Sequence, residues 1–118
     1  MENCIFCKIA SHEIEADTIV YEDDYIIAFN DLNPEAPVHV LVVPKVHIEN
    51  FDEINDANFI YLEKIMKGIK EVAKITGINE KGYRIINNCK EYGGQEINHI
   101  HFHVMGGTKL PNKMKWEE

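Results

Sequence analysis

The chain has 118 residues, of which 45% are hydrophobic and 27% charged, so its composition predicts one globular domain with a single core. Its formal net charge of −8 argues against nucleic-acid partners, because binding to a phosphate backbone depends on clustered Lys and Arg. No stretch reaches membrane-spanning length and the N-terminus lacks a signal-peptide pattern, so we expect no membrane partner and a cytoplasmic location. The three cysteines, an odd number, argue against a disulfide framework.

The N-terminal third of the chain predicts a short helix and a hairpin. Residues 3–10 place their apolar side chains at helical spacing, and Asn3 is an acceptable N-cap. Two runs of β-branched and aromatic residues follow, at 18–21 and 25–30, with a short acidic turn between them. This pattern is typical of two antiparallel strands joined by a tight connection.

A third strand and a long helix occupy the middle of the chain. Residues 38–43 are apolar except for His39, which is therefore either buried or part of a site. From Asp56 to Thr76 the apolar residues recur at helical spacing, with Asp56 able to cap the start and Gly77 placed to end the helix. We interpret the apolar stripe as core rather than as a cofactor surface. It comprises Leu62, Ile65, Met66, Ile69, Val72 and Ala73.

Two further strands complete the predicted fold, at 83–88 and about 97–105, with a glycine-containing loop at 89–96 between them. Strands joined by short turns, with one long helix between the third and the fourth, favour an α+β domain. We therefore predict a five-stranded, mostly antiparallel sheet with one long and one short helix.

The last predicted strand contains His99, His101 and His103 in strict alternation with apolar residues. Alternation on a strand places the three imidazoles on one face, about 6.5 Å apart. Such a row suits a phosphoryl group, because one ring can attack phosphorus while its neighbours donate hydrogen bonds to the oxygens. A plain polar surface is the alternative. A metal bound by all three is also conceivable, but one strand face spreads the rings too far apart to chelate a single ion unaided.

The same stretch resembles the active-site motif of the histidine triad (HIT) superfamily. The three histidines alternate with apolar residues, Gly93-Gly94-Gln95 precede them, and Gly106-Gly107 follow as in the Hint-like branch. The resemblance covers Cys4 to Gly107 and implies a single domain over 1–118, with a C-terminal tail from about 108. It also implies a homodimer with a continuous sheet, in which Trp116 would anchor the tail to the partner; a frayed terminus is the alternative.

The resemblance implies a role for each histidine of the motif. His101 matches the nucleophile that forms a nucleotidyl-imidazole intermediate, and His103 matches the residue that hydrogen-bonds the phosphate and the leaving atom. His99 matches the first histidine of the triad, which supports the site from one side. His39 matches a fourth histidine that helps to orient the nucleophile.

The resemblance also implies a pocket for a purine nucleotide such as AMP. Asp31 matches the ribose contact, and a carboxylate there can accept from both hydroxyls. The base would contact Ile5, Phe6, Ile9, Phe29 and Leu32. The phosphate would face Asn88, Gly94, Gln95 and Glu96, in the last three through backbone amides. Glu96 stands where eukaryotic relatives usually have serine and Asn98 where an aromatic residue is common, which leaves the leaving-group preference open.

The pair Cys4-x-x-Cys7 has three interpretations from the residues alone: a redox pair, half of a zinc site, or two small buried side chains. A redox pair would want a βαβ setting, which the predicted elements lack, and zinc needs two more ligands. In relatives that carry this pair, the resemblance implies a structural zinc site completed by two histidines, which here would be His47 and His99. His12 is expected to be a solvated surface residue.

The function that these observations favour is hydrolysis or transfer at a nucleoside 5′-phosphoramidate, with cleavage of the phosphorus–nitrogen bond through a covalent nucleotidyl-histidine. A dinucleoside polyphosphate hydrolase is an alternative within the same superfamily. A nucleotide-binding or sensing module without catalysis, and a small zinc protein with structural histidines, are alternatives from other classes.

Overall fold

The computed structural model describes residues 3–16 and 18–111. Their strands are β1 (Ile19–Glu22), β2 (Ile26–Asn30), β3 (Val38–Pro44), β4 (Tyr83–Ile86) and β5 (Phe102–Gly106). Their helices are α1 (Ile5–Ala10) and α2 (Phe59–Thr76), with short 3₁₀ turns at Phe51–Glu53 and Glu91–Gly93. Trp116 lies outside the described residues, so its predicted role stays a prediction, as does the single domain over 1–118.

The five strands form one sheet in the order β1-β2-β3-β5-β4, and every pair of neighbours is antiparallel. The predicted α+β fold with a five-stranded antiparallel sheet, one long helix and one short helix is therefore confirmed. β2 and β3 lie in the middle of the sheet and are buried along nearly their whole length. Their sequences are almost continuously apolar because both faces of these strands are covered.

The helix α2 covers one face of the sheet, as its apolar stripe predicts. Ile65, Ile69 and Val72 are buried against residues of the central strands. Met66 was expected in the same stripe, but 40% of its surface is exposed, so it does not belong to the core. Gly68 marks the close approach of this helix to the sheet, since a Cβ built there would lie 2.2 Å from Cδ1 of Ile26.

The short helix α1 covers part of the opposite face and leaves room for a site beside it. Phe6 and Ile9 pack against Phe29, Leu41 and other residues of β2 and β3. Cys4, rather than the expected Asn3, is the N-cap, because its Sγ accepts a hydrogen bond from the backbone amide of Cys7. The first residue of the Cys-x-x-Cys pair therefore also determines where the helix begins.

The helix α2 begins three residues later than expected. Asp56 does not cap it; the N-cap is Asn58, whose Oδ1 accepts instead from the amide of Asn55. The C-terminal prediction is confirmed, since Gly77 has a φ of +81° and occupies the left-handed region. No described helix is both long and apolar enough to cross a membrane.

The last strand is shorter than the alternating pattern predicts. It begins at Phe102 rather than near 97, because the amide of Ile100 donates to the carbonyl of Ile48, outside the strand ladder. β4 likewise ends at Ile86 rather than at 88. The alternation of side chains nevertheless continues through the segment 99–104, since Ile100, like Phe102 and Val104 of β5, lies in the core beneath α2.

Candidate active site and metal centre

An open cavity of about 440 Å³ lies between α1, the ends of β2 and β3, and the segment that carries the histidines. His101 and His103 line it, and their ring centroids are 5.2 Å apart. His99, the first histidine of the motif, is not among the lining residues and is completely buried. Two of the three imidazoles of the motif therefore line the cavity, and the third is buried outside it.

The hydrogen bonds of His101 assign its tautomer. Its Nδ1 lies 2.9 Å from the carbonyl oxygen of His99, which can only accept, so Nδ1 carries the proton and Nε2 the lone pair. Asn87, which sequence reasoning missed, donates from Nδ2 to the carbonyl of His101 at 2.9 Å and fixes the backbone there. Burial lowers the pKa of the His101 imidazole, which keeps the ring neutral at neutral pH. The arrangement thus provides an uncharged ring with an unprotonated nitrogen.

A second chain of hydrogen bonds gives His103 the opposite polarity. The amide of Glu35 donates to Nδ1 of His39 at 3.0 Å, so His39 carries its proton on Nε2. That Nε2 lies 2.9 Å from Nδ1 of His103 and donates to it, which leaves the proton of His103 on Nε2. Burial lowers the pKa of His103 to about 4, and the neighbouring His101 and His39 contribute. The cavity therefore contains one imidazole that accepts at Nε2 and one that donates there.

The position of His39 differs from the one that its family role implies. Leu41 of β3 pairs with His103 of β5, and His39 lies two residues along on the same face, diagonally next to that histidine. The residue is 3% exposed, and its ring is hydrogen-bonded to His103 rather than to the expected nucleophile. Oδ2 of Asp31 lies 3.4 Å from the same Nε2 of His39, so the carboxylate expected at the ribose also faces this pair.

Most of the residues expected to contact a nucleotide do line the cavity. They are Ile5, Phe6, Ile9, Phe29, Asp31, Leu32, Asn88, Gly94, Glu96, His101 and His103. Leu32 lies at the rim with 75% of its surface exposed, whereas Phe6 is buried and contacts the His101 ring edge to face at 5.1 Å. Sequence reasoning missed the carboxylates of Glu15 and Glu35, which also line the cavity, because no motif marks them.

Gln95 is the one expected nucleotide contact that the cavity does not include. The backbone amide of Gly94 donates to the carbonyl of Glu91, and that of Gln95 to the carbonyl of Lys90, both at 3.0 Å. These two amides are therefore used inside the loop rather than turned towards a phosphate.

The lining of the cavity is acidic. Carboxylates from Glu15, Asp31, Glu35 and Glu96 line it, and no Lys or Arg does so among the described residues. Two of them, Asp31 and Glu96, lie close enough to His101 to favour positive charge on its ring, although burial outweighs their effect on its pKa. A positive charge that develops on His101 would therefore be stabilised.

The second cluster joins both cysteines of the N-terminal pair to two histidines. One ligand atom from each of Cys4, Cys7, His47 and His99 lies within 4.8 Å of all the others. Nδ1 of His99 lies 3.2 Å from Sγ of Cys4 and 3.4 Å from Sγ of Cys7, and Nδ1 of His47 lies 3.3 Å from Sγ of Cys7. The predicted set of four ligands is thus close enough together to hold a metal ion.

The donor chemistry of this cluster fits zinc. Two thiols and two imidazoles form one of the common tetrahedral zinc sets. Nε2 of His99 donates to the carbonyl of Pro44 at 3.0 Å, so its Nδ1 presents the lone pair to the cluster, as in many metal-bound histidines. Burial lowers the pKa of His99 to about 4, which keeps that lone pair available.

Comparison with known proteins agrees with this geometry. The HIT domain family matches residues 12–110. A purine nucleoside phosphoramidase of Escherichia coli strain K12 is 40% identical over 109 residues, 92% of this chain and 91% of the relative. Among solved structures, a histidine triad protein from Clostridium difficile is 49% identical with a TM-score of 0.92, covering 97% of this chain and 98% of that one. A HIT family hydrolase from Clostridium thermocellum has the same identity and TM-score, with 98% and 99% coverage.

On the strength of this match, and of two histidines with complementary protonation in one cavity, the chain belongs to the HIT family.

Proposed function

We propose that the protein hydrolyses nucleoside 5′-phosphoramidates through a covalent nucleotidyl-His101 intermediate. The observation that carries this proposal is the complementary protonation of His101 and His103. One presents a lone pair at Nε2 and the other a proton at Nε2, on the same wall of a cavity that can hold a nucleotide. Covalent catalysis at phosphorus needs such a nucleophile beside a hydrogen-bond donor.

The first step transfers the nucleotide to the enzyme. Nε2 of His101 forms a bond to phosphorus, and the phosphorus–nitrogen bond breaks with its electron pair going to the departing amine. That nitrogen takes up a proton, which Glu96 relays from solvent at the cavity wall. Nε2–H of His103 donates to the phosphoryl group as charge builds up there. The carboxylates of Asp31 and Glu96 stabilise the positive charge on the substituted ring.

The second step releases the product. Water attacks phosphorus, the bond from phosphorus to Nε2 breaks, and its electron pair returns to the ring of His101. The proton that the water loses passes back to Glu96 and solvent, so that one water is consumed for each nucleoside monophosphate and amine formed. The bond from Nδ1 of His101 to the carbonyl of His99 holds the ring in one orientation throughout.

The rest of the cavity fits a purine nucleoside monophosphate such as AMP. The apolar residues of α1 and Phe29 would contact the base, and Asp31 at the end of β2 would accept from the ribose hydroxyls. The relative from E. coli is a purine nucleoside phosphoramidase, which supports the same substrate class. The acidic lining argues against the rival substrate, a dinucleoside polyphosphate, because additional phosphates would meet carboxylates and no described basic side chain.

The metal that we propose is zinc, held by Cys4, Cys7, His47 and His99. When bound, it would act as a structural cross-link. The residues that hold it join the start of α1 to the residue whose carbonyl orients His101. We further propose that the protein is a homodimer. β4 is one of the two edge strands of the sheet and exposes 48% of Ile85, as a strand that continues into a partner's sheet would in the isolated chain.

The test is release of AMP from adenosine 5′-phosphoramidate by the purified protein, beside His101→Ala. We expect turnover from the wild type alone. Tyr92→Ala is the matched control, since that side chain is fully exposed and outside the cavity. If AMP binds but neither protein releases it from the substrate, the hydrolase proposal is wrong and the sensing module takes its place. Sedimentation at several concentrations tests the dimer.

A further inference from the structure

The amide oxygen and the amide nitrogen of the Gln95 side chain both form hydrogen bonds with backbone atoms. Its Oε1 accepts from the amide of Lys90 at 2.8 Å. Its Nε2 donates to the carbonyl of Glu49 at 2.7 Å and to that of Ile97 at 2.9 Å. An amide NH₂ has two donors, and both are used. The side chain therefore has no free donor for a ligand, in agreement with its absence from the cavity lining.

One of these partners, Lys90, has a backbone conformation that other residues rarely adopt. Its φ is +65° and its ψ is −178°, a region that is essentially restricted to glycine. Such a conformation persists only when its surroundings enforce it. Here Lys90 and Gln95 are bonded twice, because the amide of Lys90 donates to Oε1 of Gln95 and the amide of Gln95 donates to the carbonyl of Lys90. These two hydrogen bonds join the ends of the loop 90–95, whose first residue, Lys90, has the strained conformation.

This closed loop lies beside the proposed reacting groups. Asn88 precedes it, Gly94 is part of it and Glu96 follows it, and all three line the cavity with His101. The bond to Glu49 ties the loop to the segment after β3, 46 residues away in sequence. By contrast, the base and ribose contacts come from α1, β2 and the residues that follow β2. Gln95, together with the ion pair of Lys90 with Asp52 at 2.9 Å, therefore ties the loop to the segment after β3, whereas the nucleoside contacts do not depend on it.

We propose that Gln95 is a positioning residue, which makes no contact with the nucleotide and holds the side chains of Asn88 and Glu96 beside the phosphorus. This inference rests on the proposed function, since it concerns the same cavity. It predicts that loss of the Gln95 side chain lowers kcat while the affinity for AMP is kept, because the nucleoside contacts are on other elements. A misplacement of about 1 Å can reduce the rate about 100-fold.

The experiment compares Gln95→Ala, Gln95→Glu, Lys90→Gly and the double variant Lys90→Gly with Gln95→Ala. The glutamate keeps an acceptor for Lys90 but loses both donors. We expect either Gln95 variant to lower kcat about 10- to 100-fold on adenosine 5′-phosphoramidate, with KM and AMP affinity within about threefold. Gln95→Ala should also lower the melting temperature, because it removes the hydrogen bonds that hold Lys90 in its strained conformation. Lys90→Gly relieves this strain and loses only an exposed ion pair with Asp52, so the double variant should recover the melting temperature of the wild type without recovering its kcat. Tyr92→Ala, in the same loop, should leave all of these unchanged.

Three results would overturn the inference. A loss of AMP affinity in Gln95→Ala with unchanged kcat would mean a direct ligand contact. Full recovery of kcat in the double variant would mean that Gln95 serves the fold alone. The third is unchanged amide exchange over residues 90–96 in Gln95→Ala, which would mean that Gln95 does not hold the loop; we expect faster exchange there, with β5 unchanged. Amide exchange needs no substrate, so it tests this inference even if the wild type fails to hydrolyse adenosine 5′-phosphoramidate, a result that would refute the proposed function alone.

Discussion

His39 and His103 are hydrogen-bonded ring to ring, with Nε2 of His39 2.9 Å from Nδ1 of His103. The amide of Glu35, which donates to the other nitrogen of His39, determines the direction of this bond. A backbone donor thus controls, through a buried ring, which nitrogen of His103 carries its proton. His39 acts on the proposed hydrogen-bond donor and not on the proposed nucleophile.

Replacing His39 should therefore damage catalysis through His103. His39→Phe keeps an aromatic ring but removes the donor, so His103 is free to place its proton on either nitrogen. We expect kcat to fall about 10- to 100-fold, with AMP affinity little changed. This is at or below the roughly 10²–10⁴-fold that a positioned proton donor contributes, because His103 still carries its proton on Nε2 part of the time. His39→Gln, which retains an N–H, should lose less. Equal losses in the two variants, measured by single-turnover kinetics, would contradict this account.

Removal of the nucleophile should abolish turnover and leave binding. For His101→Ala we expect a rate loss of more than about 10³-fold, because the proposed intermediate can no longer form. Calorimetry should still detect binding of AMP to this variant, since the apolar part of the cavity and Asp31 remain. In the wild type, a rapid quench followed by mass measurement under alkaline conditions should find the nucleotide attached to His101. An adduct that persists in His101→Ala would place the nucleophile elsewhere.

The stability of the fold should depend on pH through His103. Its pKa is about 4 in the folded chain and about 6.5 when unfolded, so the unfolded chain binds more protons between these values. Stability from this residue is therefore complete above about pH 6.5 and is lost as the pH falls towards 4, by about 1–2 kcal/mol once solvent screening of the half-buried ring is allowed for. Denaturant unfolding of His103→Gln should lack this part of the decrease, whereas Tyr92→Ala should retain it.

Removal of metal should weaken nucleotide binding. Phe6, on α1, contacts the rings of His99 and His101 at 5.8 and 5.1 Å, so a helix that loses its cross-link also loses one wall of the cavity. We expect chelation or Cys7→Ser to lower AMP affinity about tenfold, and AMP to strengthen zinc binding by the same factor, because linkage is reciprocal. Cys89→Ser is the control with an unrelated thiol. Identical AMP affinity with and without zinc would rule out the coupling.

Substitution of Gly68 should destabilise the fold although alanine favours helix. The gain in propensity is about 1 kcal/mol, but the added Cβ would lie 2.2 Å from Cδ1 of Ile26 and displace it in a closely packed core. We expect Gly68→Ala to lose about 1–2 kcal/mol in denaturant unfolding. Lys70→Ala, at an exposed position of the same helix, measures the effect of propensity alone. If Gly68→Ala is instead more stable than the wild type, the side chain of Ile26 in β2 can move aside at little cost.

The sequence predicted most of the elements because their periodicity depends on which face is buried, and the structure places Ile100 and Val104 in the core as the alternation requires. It could not predict where β5 begins, because an extended segment alternates in the same way whether or not it is paired. The contact between His39 and His103 depends on the register of β3 and β5, which no local pattern reports.

The same limit applies to the loop before the triad. A Gly-Gly-Gln stretch indicates close backbone approach and so favours a loop whose amides face a phosphate. Whether the amides of that loop face a ligand or the carbonyls of the loop itself depends on Lys90, whose φ of +65° and ψ of −178° are typical of glycine and rare for lysine. Nothing in the residues 90–95 alone reveals the distant carbonyl of Glu49 as a partner.

The alternation from His99 to Val104 restricts the lengths that this segment can have. One set of side chains packs under α2 and the other supplies the cavity and the cysteine cluster. An insertion or deletion of a single residue within it would exchange the two sets, turning imidazoles into the core and apolar residues into the site. Individual residues can change by substitution, but the segment as a whole cannot gain or lose one position without losing its core, its chemistry and its metal ligand together.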